Sequence, residues 1–280
     1  MGKSKSDRVS KTSGIAAAAL LWVATAFPAI AAPKVVTAKA DILMQGIEKQ
    51  KVYTLETTAE TDGPSLHRKN RYADLDNHDV VLEDVQAQDG QLVKYHIDQK
   101  QIGAIGDVEL RDGQVHFRYT QNGETKEASE KLEGNLVVGP ILIEFMLKHW
   151  EGLLKGDTLP IRLAVAERRE TVGFKLFKDT ERTEGGQTLE VIEMKPSSLV
   201  IAALVKPLYF DFNRDTHAVV AVHGRTVPKL KKGDKWIDLD AHMVYQRSAS
   251  AESASASGVP PALDAPPEVA VQYPNADPGI

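Results

Sequence analysis

The sequence predicts a mainly β protein: a curved antiparallel sheet (barrel, half-barrel or sandwich) with one buried apolar helix and one short helix. Three observations carry this. Apolar and polar residues alternate with period two along most of the chain, the pattern of strands with one buried face. Turn dipeptides recur at short, fairly regular spacing: Asp62-Gly63, Asp89-Gly90, Asp112-Gly113, Asn122-Gly123, Gly185-Gly186 and Gly233-Asp234. Such spacing suits antiparallel hairpins. One segment alone, "GPILIEFMLKHWEGLLKG" from Gly139 to Gly156, is apolar almost all the way round and carries helix punctuation at both ends.

The elements follow in order. Lys3, Lys5, Arg8 and Lys11 form a basic head, an apolar run reaches Ile30, and Ala29-Ile30-Ala31 is a small-x-small cleavage site. Residues 1–31 therefore read as a signal peptide, with no transmembrane segment left after its removal. The chain contains no Cys, so neither a lipid-bearing Cys nor a disulfide is available. Removing four basic residues and one acid from totals of 34 and 39 leaves a net charge of −8. An acidic chain without a basic run is a poor partner for nucleic acid or anionic membrane surfaces.

Residues 32–247 then read as one antiparallel β domain of about ten to twelve strands. Tyr53, Leu55 and Thr57 share one strand face, as do Val93, Tyr95 and Ile97. Val115, Phe117 and Tyr119 alternate with His116, Arg118 and Thr120. Leu159, Ile161, Leu163 and Val165 repeat the pattern, Phe210 pairs with Phe212, and Ile237, Leu239, Ala241, Met243 and Tyr245 end it. Between them, Pro140 suits the first helical position and Gly156 the residue past the last. Glu144, Lys148, Glu151 and Lys155 form one narrow stripe of alternating sign whose members can pair. The remaining large side chains of that helix are apolar, so one sheet face cannot cover it. It either plugs a curved sheet or faces a subunit, a lipid or a bound ligand. In "SSLVIAALV", Ser197 or Ser198 can cap a short helix that Pro207 stops. Residues 248–280, Ser/Ala-rich then Pro-rich, read as a disordered tail.

Catalytic and metal motifs are absent. "DLDNHD" (74–79) lacks the Gly and the Glu that a calcium loop would place at 79 and 85. Asp238, Asp240 and His242 share one strand face, where they could hold a metal or do acid–base work. Their alternation with Ile237, Leu239 and Ala241 is also that of an ordinary exposed strand, the reading adopted here. No nucleophile elbow and no phosphate loop is present. The expectation is a non-enzyme with no cofactor and no metal.

The order and spacing from Val138 to Tyr245 resemble an uncharacterised family of exported bacterial β-rich proteins, of the domain-of-unknown-function kind. The residues that carry the likeness are "KHWEGLLKGDTLPIRLAV" with Trp150, "RRETVGFKLFK" with Phe174, "LEVIEMKPSSLVIAALVKPLYFDF" with its Lys206-Pro207-Leu208 exit, and "HAVVAVHGRTVPKL" with Gly224. In the N-terminal half, "RYADLDNHDVVLEDV" is similar to the family's hairpin, with Asn77 and His78 where Gly is commoner. The resemblance implies an exported β fold and brings no activity with it.

The expected function is a periplasmic or secreted binding or carrier module, in a Gram-negative bacterium, for an apolar or amphipathic lipid-like molecule of the envelope. Phe145, Met146, Trp150, Leu204, Phe210 and Phe212 are the candidate lining residues. The alternative is a non-enzymatic structural or protein-interaction factor of the cell envelope. The oligomeric state is not legible in the sequence.

Overall fold

The computed structural model describes residues 33–46, 50–203 and 205–246. The predicted signal peptide, the Ser/Ala/Pro-rich tail and Leu204 lie outside the described residues.

One sheet contains every described strand: β1 (Lys34–Met44), β2 (Lys51–Asp62), β3 (Ser65–Ala73), β4 (Asp79–Gln88), β5 (Gln91–Gln99), β6 (Ala104–Arg111), β7 (Gln114–Gln121), β8 (Glu124–Lys131), β9 (Leu136–Val137), β10 (Leu159–Val165), β11 (Glu170–Glu184), β12 (Gln187–Pro196), β13 (Leu208–Asn213), β14 (Val219–Lys232) and β15 (Lys235–Tyr245). Their spatial order is 8-7-6-5-4-3-2-1-15-14-13-12-11-10-9. Fifteen described strands replace the expected ten to twelve. The sheet is an antiparallel meander in which β1 pairs with both β2 and β15 (Ala40 opposite Tyr245, Met44 opposite Ala241). Only the two-residue β9 runs parallel to its neighbour, β10.

The free edges, β8 and β9, are consecutive in the chain, so the curved sheet is an open barrel with one seam. Two contacts draw the seam together. The Thr171 backbone N–H donates to Glu130 Oε1 at 3.0 Å. Gly106 on β6 lies against the turn after β10, where a Cβ would fall 2.7 Å from the Ala166 Cβ. Any side chain at 106 would push the walls apart. Strand β8, "ETKEASEK", is polar almost throughout and mostly exposed. A charged edge of this kind resists pairing with other chains.

At one end of the barrel, the arm formed by β14 and β15 bends across the opening. The Gln101 side-chain amide accepts from Lys229 N–H (2.8 Å) and donates to Lys229 C=O (2.9 Å), imitating a strand partner. Tyr53 donates its hydroxyl to the same carbonyl at 2.8 Å.

The other end, the mouth, holds the apolar segment. It is a 3₁₀ turn (Gly139–Ile141) followed by helices α1 (Leu142–Lys148) and α2 (Trp150–Leu154). The single expected helix is thus broken at His149, whose φ of −108° and ψ of 17° leave the helical region. The physical reason is local. The His149 ring Nδ1 lies 2.9 Å from the Phe145 carbonyl and takes the acceptor that its own backbone N–H would use in an unbroken helix. The N–H turns instead to Met146 C=O at 3.1 Å. Ile141, Leu142, Phe145, Met146, Trp150 and Leu153 are buried in one continuous apolar core with side chains from both halves of the sheet.

The short helix α3 (Leu199–Ala202) begins after Ser198, which makes no side-chain cap. It does not line the interior: Leu199 is 91% and Val200 73% exposed. No helix among the described residues is long and apolar enough to cross a membrane.

Candidate functional site

Helix α1 is held in the mouth by polar anchors. Arg68, on the inner face of β3, donates one guanidinium N–H to the Pro140 carbonyl at 2.8 Å and pairs with the Glu144 carboxylate through another. Lys148 Nζ donates to the Asp89 carbonyl in the β4–β5 turn at 2.9 Å. The charged stripe of the helix was expected to pair along its own surface. Glu144 and Lys148 instead bind the wall. Burial raises the Glu144 carboxyl above its ordinary value, and Arg68 opposes the rise.

Below this anchor lies a buried polar network. The Tyr95 hydroxyl donates to Glu83 Oε1 at 2.6 Å, and Asn70 Nδ2 donates to Glu83 Oε2 at 2.9 Å. The Thr57 hydroxyl donates to Asn70 Oδ1 at 2.8 Å. Burial pushes the Glu83 carboxyl up, and the hydrogen bonds it accepts pull it back in part. A carboxyl raised in the fold binds protons more tightly folded than unfolded, so it adds stability below its unfolded value near 4.5. That stability is lost as pH rises through the folded value. Glu83→Gln is therefore expected to remove the stabilising contribution that Glu83 makes as pH falls from neutrality toward 4.5, so its melting temperature relative to wild type drops over that window. Parallel melting curves for the two proteins over that window would refute the assignment.

Of the expected lining residues, Phe145, Met146, Trp150, Phe210 and Phe212 are brought into one core, and Trp150 meets Phe212 edge-on at 5.3 Å. Leu204 lies outside the described residues. Phe145 borders a cavity. A recess of about 190 Å³ opens between α1 and the mouth ends of β2, β3 and β4. Leu66, Ala87, Ile141 and Phe145 form its apolar wall, and Glu144 and Lys148 stand at its side. The sequence reading missed Leu66, Ala87 and Ile141. The signal was present in part, since Ile141 belongs to the apolar arc, but the wall partners depend on register.

The outer face of β13–β15 carries a second cluster. Asp238, Asp240 and His242 share that face as expected. The two carboxylates are paired with cations: Arg225 binds Asp238 and reaches Asp240 at 2.7 Å, and Lys229 Nζ lies 2.9 Å from Asp238. His242 does something else. It sits opposite His223 in the sheet, with the two Nδ1 atoms 2.6 Å apart. His223 Nε2 lies 2.6 Å from Asp211 Oδ2, which also accepts from Arg182 at 2.7 Å. Asp211, between Phe210 and Phe212, is fully buried.

Asp74, Asp76 and His78 also approach one another closely enough to share an ion. Their geometry is that of a turn: Asp74 Oδ1 accepts the backbone N–H groups of Asp76 and His78 at 3.0 and 2.8 Å.

No family model and no curated protein matches this chain. A solved structure does. The chain is similar to a β-barrel-like protein of a domain of unknown function, DUF1849, from Brucella abortus, with 11% identity and a TM-score of 0.37. The match covers 75% of this chain and 96% of that one. That neighbour, like the family the sequence resembles, is a β-rich protein without an assigned function.

Proposed function

We propose that the protein is a non-enzymatic binding module of the cell envelope that seats a short apolar segment of an amphipathic molecule in the recess beside α1. The recess itself supports the reading: an apolar wall of Leu66, Ala87, Ile141 and Phe145 with charged groups at its side. Its volume, about 190 Å³, exceeds the ~150 Å³ that takes benzene. It falls short of the ~300 Å³ at which drug-sized pockets begin. The ligand is thus the end of an acyl chain or a single ring, with its polar part near Lys148. A whole lipid exceeds this volume, and Met146, Trp150, Phe210 and Phe212 are buried in the neighbouring core.

Octanoate is a suitable probe. Calorimetric titration is expected to show binding to wild type and at least tenfold weaker binding to Ala87→Phe, whose added ring occupies the recess. Unchanged circular dichroism controls for folding, and Leu66→Trp provides a second filling variant. Equal affinity in wild type and both filled variants defeats the proposal. The second reading, an interaction factor of the envelope, draws on the exposed α3 residues Leu199 and Val200. Absent octanoate binding, together with a copurifying envelope protein lost on Val200→Asp, favours it.

A further inference from the structure

We propose that His223 and His242 form a bis-imidazole site for a borderline divalent metal ion, held in register by Asp211. The cross-strand pairing of β14 with β15 sets the two residues directly opposite. Their side chains turn the same kind of nitrogen toward one point, with Nδ1 atoms 2.6 Å apart. Without a metal, one proton sits between them. The Asp211 carboxylate fixes its direction, because it accepts the His223 Nε2–H at 2.6 Å. His223 Nδ1 is then an acceptor, and His242 Nδ1–H donates to it.

That arrangement is already most of a metal site. A ligating imidazole characteristically donates its far N–H to a carboxylate, which sets its tautomer and raises its basicity. Asp211 does this for His223 and is itself anchored by Arg182 at 2.7 Å. Metal binding asks for a change of tautomer at His242, moving its proton from Nδ1 to Nε2, so both rings remain neutral. Bonds of about 2.0–2.1 Å to nitrogen place two ligand atoms roughly 3 Å apart. The present separation must widen by less than ~1 Å, which rotation of the half-buried His242 ring can supply.

Imidazole nitrogens favour zinc, copper and nickel over magnesium or calcium. The neighbouring carboxylates of Asp238 and Asp240 are committed to Arg225, so water completes the coordination shell. A two-protein-ligand site of this kind binds reversibly and responds to the supply of metal.

The test is equilibrium dialysis of the full chain against Zn²⁺. One equivalent is expected on wild type, lost in His242→Ala and weakened at least tenfold in Asp211→Asn. His78→Ala should leave that equivalent unchanged, separating it from the Asp74 turn. Binding that survives His242→Ala, or that disappears only in His78→Ala, overturns the proposal. A measurement on wild type alone guards against a variant that does not fold. Electron paramagnetic resonance of bound Cu²⁺ is expected to show coupling to two imidazole nitrogens, and an oxygen-only spectrum overturns the site.

Discussion

Arg68→Met is expected to destabilise the domain by about 2–3 kcal/mol in chemical denaturation. A buried ion pair that loses one partner typically costs ~3–5 kcal/mol, because the remaining charge is stranded. Here the Glu144 side chain retains 35% exposure, which lowers the figure. Methionine keeps the apolar stem of Arg68 against the wall, so the loss reports the charge and the bond to the Pro140 carbonyl. The companion experiment removes both charges. Replacing a buried pair by apolar residues of similar volume is often nearly neutral. Arg68→Met with Glu144→Leu should therefore recover all but ~1 kcal/mol, the bond to Pro140 being lost in either case. A double variant as unstable as the single one would show that the stranded Glu144 charge is not the source of the loss.

The pair also explains which parts of this fold a sequence can disclose. Strand β3 reads "SLHRKNRYA", and its inner face is Leu66, Arg68, Asn70 and Tyr72. Two of those four are polar, so hydropathy does not mark the inward face. Their partners are Glu83, set opposite Asn70 by the β3–β4 register, and Glu144, which arrives from α1 far along the chain. Strand β8 has no apolar face to announce it, and β9 has only two residues. These strands account for the low expected count. The greasy segment, by contrast, was legible from its Pro140 and Gly156 punctuation and its wide apolar arc. Its break was not, since it turns on one imidazole reaching one carbonyl.

The same distinction applies to the sites. Alternation placed Asp238, Asp240 and His242 on one face, because strand geometry alone decides that. Which of them would meet what depends on cross-strand register. The bulge between Arg225 and Lys229 shifts β14 so that Arg225 faces Asp240 and Lys229 faces Asp238. Arg225 thereby reaches both carboxylates. His242 is left opposite His223, a contact invisible without the pairing.

Trp150→Ala is expected to cost about 3–5 kcal/mol, the usual range for removing a large aromatic from a core. Trp150 is 4% exposed, lies edge-on to Phe212 on β13 and sits 5.1 Å from the His217 ring in the β13–β14 turn. It therefore fastens α2 to the C-terminal half of the sheet, while Arg68 and Asp89 fasten α1 to the N-terminal half. The two halves share one continuous pairing, at β1–β15, and their other edges meet only at the seam. A plug bound to both walls holds the seam closed, so losing the wedge should expose the seam as well as the mouth. Hydrogen exchange is the discriminating measurement. Faster exchange is expected in Trp150→Ala at the Thr171 amide, which donates across the seam, as well as in α2. Trp150→Phe keeps the ring contact and should cost less than ~1.5 kcal/mol with exchange at Thr171 unchanged. Acceleration confined to α2 in the alanine variant would show that the seam is held by Gly106, Ala166 and Glu130 without help from the plug.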